Sequence, residues 1–120
     1  MRPPPRPGVV APGEKLLVVS RPLFAQDARR HFIGEVIAVA DGLARLQGFV
    51  FVYEPARGQF IRRAEPRTRI VGLGDALLVI KVLPHDVPLE ALSHVLGADG
   101  SLELTDGRGF AMDIHEFLPQ

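Results

Sequence analysis

The chain contains no cysteine, which excludes a disulfide scaffold, a thiolate metal site and a cysteine nucleophile, and suits a reducing compartment. It also lacks any run of apolar residues long enough for a membrane. The longest, such as residues 49–53 and 76–80, reach about a quarter of the roughly 20 residues that a spanning helix needs. The first thirty residues hold only the short apolar stretch 16–19 behind a proline-rich start, too little for a signal-peptide core. A cytoplasmic location with no membrane partner is the expectation. Lysine is scarce: arginine outnumbers it 12 to 2. With abundant alanine, glycine and proline, this resembles the codon bias of a GC-rich bacterial genome.

What is present suits one small folded unit. A chain of 120 residues, 47% of them hydrophobic, is enough for one core and too short to divide into two. Residues 1–13 carry five prolines, Pro3, Pro4, Pro5, Pro7 and Pro12. They predict a disordered proline-rich arm of extended character, with a minimal PxxP pattern at Pro4 and Pro7. Residues 14–120 are then read as a single β domain. The net charge of +0 conceals an asymmetry. Residues 1–69 carry 12 basic against 6 acidic side chains (+6), and residues 70–120 carry 2 against 8 (−6). Segregation of the two segments would give a dipole; interleaved strands would cancel it.

The hydrophobic pattern predicts short strands separated by turns. Residues 15–20 form a first strand, and 24–31 a loop or single helical turn. Residues 32–40 and 43–53 make two strands joined at Asp41-Gly42, a dipeptide that accepts the positive φ angles of a tight hairpin. This pair is read as a structural turn, not a binding site. Gly34 and Gly48 within those strands predict bulges or bends. Strands at 59–63 and 68–73 continue a meander, and the almost wholly apolar stretch 76–83 predicts a central strand covered on both faces. Residues 89–96 read as a short helix closed by Gly97. Residues 102–105 and 110–115 form a last hairpin across 106–109. The fold class expected is mainly β: a small barrel or roll of about eight short strands with one or two short helices.

Motifs for chemistry are sparse. His31, His85, His94 and His115 have no metal-binding spacing, and the HExxH-like string begun by His115 has Pro119 in the second histidine position. The four are read as surface or hairpin residues. Ser93 adjoins His94, yet neighbours on a helix point about 100° apart and do not form a serine-histidine pair. Asp99 and Asp106 each precede glycine, so turn formation explains them, with Glu103 and Asp113 on the polar faces of the last hairpin. Gly72-Leu73-Gly74 is not continued into any phosphate-loop pattern. No catalytic residue, metal or cofactor is predicted. The richest stretch is Arg57, Phe60, Arg62, Arg63, Arg67 and Arg69. It reads either as a polyanion-binding ribbon, with Phe60 stacking on a base, or as an edge guarded against aggregation by arginines.

Residues 34–48 resemble the N-terminal β-barrel of the ATP synthase alpha subunit, whose members carry a G-x-V-x-x-V-x-D-G-I-A-x-V-x-G string. Gly34, Val36, Val39, Asp41, Gly42, Ala44 and Gly48 match it. The resemblance implies a structural crown that joins subunits, without the nucleotide site, which lies in a later domain of that family. Sm-like RNA-binding barrels share only a glycine and a displaced aspartate, and this chain has no asparagine to contact RNA. Three function classes follow in order: a non-enzymatic module acting by protein contacts or self-assembly, a binder of RNA or another polyanion, and a small enzyme whose acid-base pair meets only in the fold.

Overall fold

The computed structural model describes residues 9–21, 29–97 and 99–114. Nine strands make up two antiparallel sheets among these residues: β1 Lys15–Ser20, β2 Arg30–Ala40, β3 Leu43–Glu54, β4 Gln59–Arg62, β5 Arg67–Gly72, β6 Leu78–Leu83, β7 Ser93–Leu96, β8 Leu102–Thr105 and β9 Ala111–Asp113. The protein is thus mainly β, with one 3₁₀ turn at Leu89–Ala91.

The larger sheet has the order β4-β3-β2-β1-β6, with β5 also paired to β3. Strand β3 is long enough to hold two partners on one edge. Leu43 to Gly48 pair with β5, and Phe51 to Glu54 pair with β4. The expected meander therefore holds from β1 to β4 and then breaks: β5 returns to β3, and β6 crosses to β1. The apolar stretch at 78–83 is not the central strand that its composition predicts. Strand β6 lies at the end of the strand order, and its Val82 is 51% exposed.

Alternation along the strands feeds two cores. One face carries Leu16, Val18, Phe32, Val36, Ala44, Leu46 and Val50. Val71 of β5 with Leu73 just beyond it, and Leu78 and Ile80 of β6, pack against this same cluster from opposite edges of the sheet. The sheet is therefore rolled, with this cluster on its concave side. Val10 belongs to the same core at 7% exposure, and the Gly13 N–H donates to Val36 O at 2.8 Å. Residues 10–13 of the segment expected to be a disordered arm are thus tied to this core, and residues 1–8 lie outside the described residues.

The convex face carries Leu17, Val19, Ile33, Phe51 and Phe60, which pack with Leu102 and Leu104 of β8 and with Ile114. The small sheet β7-β8-β9 thus covers part of this convex face. Residues 93–96, expected to be helical, form β7 instead, in register from Ser93↔Thr105 to Leu96↔Leu102. Two turns of helix need tertiary support, and here the neighbouring strand supplies a ladder in its place.

Asp41 and Gly42 have φ of 53° and 74°, as a two-residue hairpin turn with positive φ at both positions requires. Gly34 and Gly48 are direct partners across β2 and β3, whereas the register shift lies between Val36 and Ala38. The two glycines mark a close backbone approach at the corner where β3 passes from β5 to β4. The bulge is at Ile37, which is 45% exposed.

Candidate functional site

The structure brings together residues that sequence spacing did not connect. His31 lies on β2, which begins two residues earlier than its composition suggests, and His94 lies on β7. The two sheets meet there, and His31 Nδ1 is 2.9 Å from His94 Nε2. His31 is only 2% exposed. Phe60 stacks on both imidazoles with centroids 4.4 Å apart in each case, and the Phe51 ring lies 4.8 Å from His94. Of the reading of these histidines as surface or hairpin residues, the surface alternative fails for His31, which is buried, while His94 lies half-buried on the β7–β8 pair. Sixty-three positions separate them, and strand pairing was not resolved enough in the sequence to join them.

Burial disfavours the charged imidazolium. It lowers His31 from 6.5 to about 4, with a smaller contribution from the Arg29 charge. It lowers His94 from 6.5 to about 3, with a smaller contribution from His31. Both rings are neutral at pH 7, so one donates the shared hydrogen bond and the other accepts it. Among the described residues His94 Nδ1 is buried without a hydrogen-bond partner, a condition that typically costs about 1–3 kcal/mol. His94 also helps to line a cavity of about 330 Å³ between the β3–β4 turn and β7–β8, together with Tyr53, Gln59, Phe60, Leu96 and Leu102.

The arginine stretch does not form one face. Arg62, opposite Phe51, lies on the convex side, where its guanidinium sits 4.9 Å from the Phe49 centroid and donates to Glu90 O at 2.6 Å. Arg69, opposite Leu46, lies on the concave side, 5.5 Å from the Phe32 centroid. Arg57 pairs with Glu54 at 3.3 Å, and Arg63 and Arg67 are exposed. Phe60 is 7% exposed, so its ring packs on the histidines and offers no free face to a base. Arginine on apolar rings is a packing arrangement as much as a charged one.

The acidic residues behave as turn formers. Asp106 Oδ1 accepts from the N–H groups of Arg108 at 2.8 Å, Phe110 at 3.0 Å and Gly109 at 3.2 Å. These bonds, led by that of Arg108, hold its carboxyl below the usual range. Asp99 Oδ1 accepts from Ser101 N at 3.0 Å and Oγ at 2.6 Å. Among the described residues no group of three or more His, Cys, Asp or Glu is placed to hold a metal ion. Ser93 is exposed, and His115 lies outside the described residues.

A second feature lies on the half of the convex face that the small sheet leaves bare. Ala38, Ala40, Leu43 and Ile70 line a shallow depression there together with Asp41 and Arg45. Leu43 is 48% and Ile70 60% exposed. The ladder explains the grouping. Arg45 is opposite both Ala38 and Ile70, and Leu43 is opposite Ala40, so all point to one side. No protein-family model, curated protein or solved structure matches the chain.

Proposed function

We propose that this protein is a non-enzymatic β module that associates with a second copy of itself through the bare half of the convex face. The carrying observation is the exposed cluster of Leu43 and Ile70 beside Ala38 and Ala40. The other half of the same face is already closed by the small sheet. Contiguous exposed apolar surface on a folded domain marks a contact site.

The charges favour a like partner. A patch that carries one anion, Asp41, and one cation, Arg45, among its apolar side chains becomes self-complementary about a twofold axis, because each copy sets its aspartate against the other's arginine. Asp41 then serves both the turn and the contact, a role beyond the structural one expected of it. The likeness of residues 34–48 to a barrel that joins subunits supports the same reading. So few side chains predict a concentration-dependent dimer and not a permanent one.

Sedimentation velocity over a wide concentration range tests the proposal. A rise towards dimer mass that Ile70→Glu abolishes, with unchanged melting of the variant, is expected. A strict monomer at every concentration overturns the self-association. A dimer indifferent to Ile70→Glu overturns the assigned face.

A further inference from the structure

Self-association uses neither the proline-rich start of the chain nor the groove beside which that start enters the fold. Residues 2–7 read Arg-Pro-Pro-Pro-Arg-Pro. Prolines fix φ and favour the polyproline II helix, whose backbone makes no internal hydrogen bonds. Such a segment loses little entropy when it docks in an apolar groove, and arginines within it favour walls that carry carboxylates.

A groove of about 510 Å³ runs along the convex side of the row Lys15, Glu35 and Gln47, which are successive partners across β1, β2 and β3. Phe49, Pro66, Pro88 and Leu89 supply its apolar surface, and Glu35, Asp86 and Glu90 its carboxylates. The two cations at the groove are turned to backbone carbonyls. Lys15 Nζ donates to Val87 O at 2.6 Å, and Arg62, which lies over the Phe49 ring, donates to Glu90 O at 2.6 Å. Among the described residues none of the three carboxylates accepts a hydrogen bond or stands in an ion pair.

The chain enters the fold at one end of this row. Gly13 N–H donates to Val36 O at 2.8 Å and Val36 N–H to Glu14 O at 2.7 Å, which sets the entry one residue from both Glu35 and Lys15. Val10 is buried, whereas Val9 is 95% exposed, so the chain leaves the core there. Eight residues of polyproline II extend about 25 Å, and three adjacent strands span about 10 Å. The segment before Val9 is therefore long enough to cross the row.

We propose that the groove is a docking site for residues 2–7 of the same chain, with the prolines against Pro66, Pro88 and Leu89 and the Arg2 and Arg6 guanidiniums on the carboxylates of Glu35, Asp86 and Glu90. A tethered segment needs little affinity of its own, because the tether raises its local concentration.

The absence of cysteine lets a single nitroxide be attached through Pro3→Cys in the full chain. The label is expected to erase the ¹⁵N amide signals of Gln47 and Leu89, less so as salt screens the charges. Arg2→Glu with Arg6→Glu restores the signals, Asp86→Arg with Glu90→Arg restores them too, and all four changes together erase them again. Asp86 and Glu90 are exposed, so these variants keep the fold, which thermal melting checks. Labelled chain without ¹⁵N, mixed with unlabelled ¹⁵N chain, is expected to leave the signals intact. Undisturbed Gln47 and Leu89 signals in the labelled chain overturn the proposal. So does a loss of signal that survives either paired charge reversal, or one as strong between molecules as within one. Ile70→Glu abolishes self-association and leaves this loss of signal in place, so the two proposals fail separately.

Discussion

Gly48→Ala is expected to be among the most damaging single-methyl additions to this protein. A Cβ at Gly48 would collide with the carbonyl oxygen of Ile33 and stand 2.5 Å from Gly34 Cα and 2.7 Å from Ile33 C. All three are backbone atoms of β2, which is itself clamped by β1 through Leu17↔Ile33. No side-chain rotation relieves the contact. The β2–β3 ladder has to open next to Ile33, Val50 and Phe51, residues of both cores. Overpacking usually costs about 1–3 kcal/mol, and the absence of a yielding side chain places this case at about 3 kcal/mol or above. That exceeds the roughly 0.5–1 kcal/mol by which alanine is favoured over glycine within a strand. At about 4–8 °C per kcal/mol for a domain of this size, the melting temperature falls by roughly 12 °C or more. Gly34→Ala is milder, because its Cβ meets the Phe32 ring edge at 2.9 Å and Gln47 O at 3.0 Å, longer contacts than those at Gly48. Gly74→Ala is the control. Nothing lies within 4 Å of its Cβ and its φ is outside the left-handed region, so it changes stability little or raises it by up to about 1 kcal/mol. Thermal and urea melts of the three variants read the order directly. A Gly48→Ala protein that melts with Gly74→Ala would refute the close approach of the two strands.

Two further outcomes follow from the turn and the histidine pair. Gly42 has φ of 74° with open space around its Cβ, so Gly42→Ala costs only backbone strain, about 1 kcal/mol; Asp41→Asn is nearly neutral in the monomer, since asparagine accepts the same turn. Urea melts at low protein concentration check both, and a costly Asp41→Asn or a cost-free Gly42→Ala contradicts the turn assignment. The folded-state pKa values of His31 and His94 lie below the unfolded 6.5, at about 4 and about 3, so their stabilisation is complete above pH 6.5 and is lost as pH falls towards 4 and then 3. For His31 this amounts to on the order of 3 kcal/mol at 1.36 kcal/mol per pH unit. Urea melts from pH 7 down to pH 4 should show this decline, and His94→Phe should flatten it; an equally steep decline in that variant would assign it to other groups.

The strand content and its turns were legible in the chain because they depend on neighbours in sequence. Val and Leu at 15–20, the Asp41-Gly42 pair and the aspartate-glycine turn at 106–107 act through local geometry, and β1, the β2–β3 hairpin and the β8–β9 hairpin lie where those signals place them. Composition alone misplaced the elements whose state depends on distant partners. Residues 93–96 became a strand because β8 offers a ladder, and β6 became an edge because β1 accepts it on its free side. The histidine pair, the division of the arginines between two faces and the bare patch around Ile70 share that origin. Each depends on which strand lies opposite which, a matter of loop closure and register across long sequence separations. A one-residue slip in register would turn every one of these side chains to the other face. Residue types supplied the chemistry, and the tertiary pairing decided which groups meet.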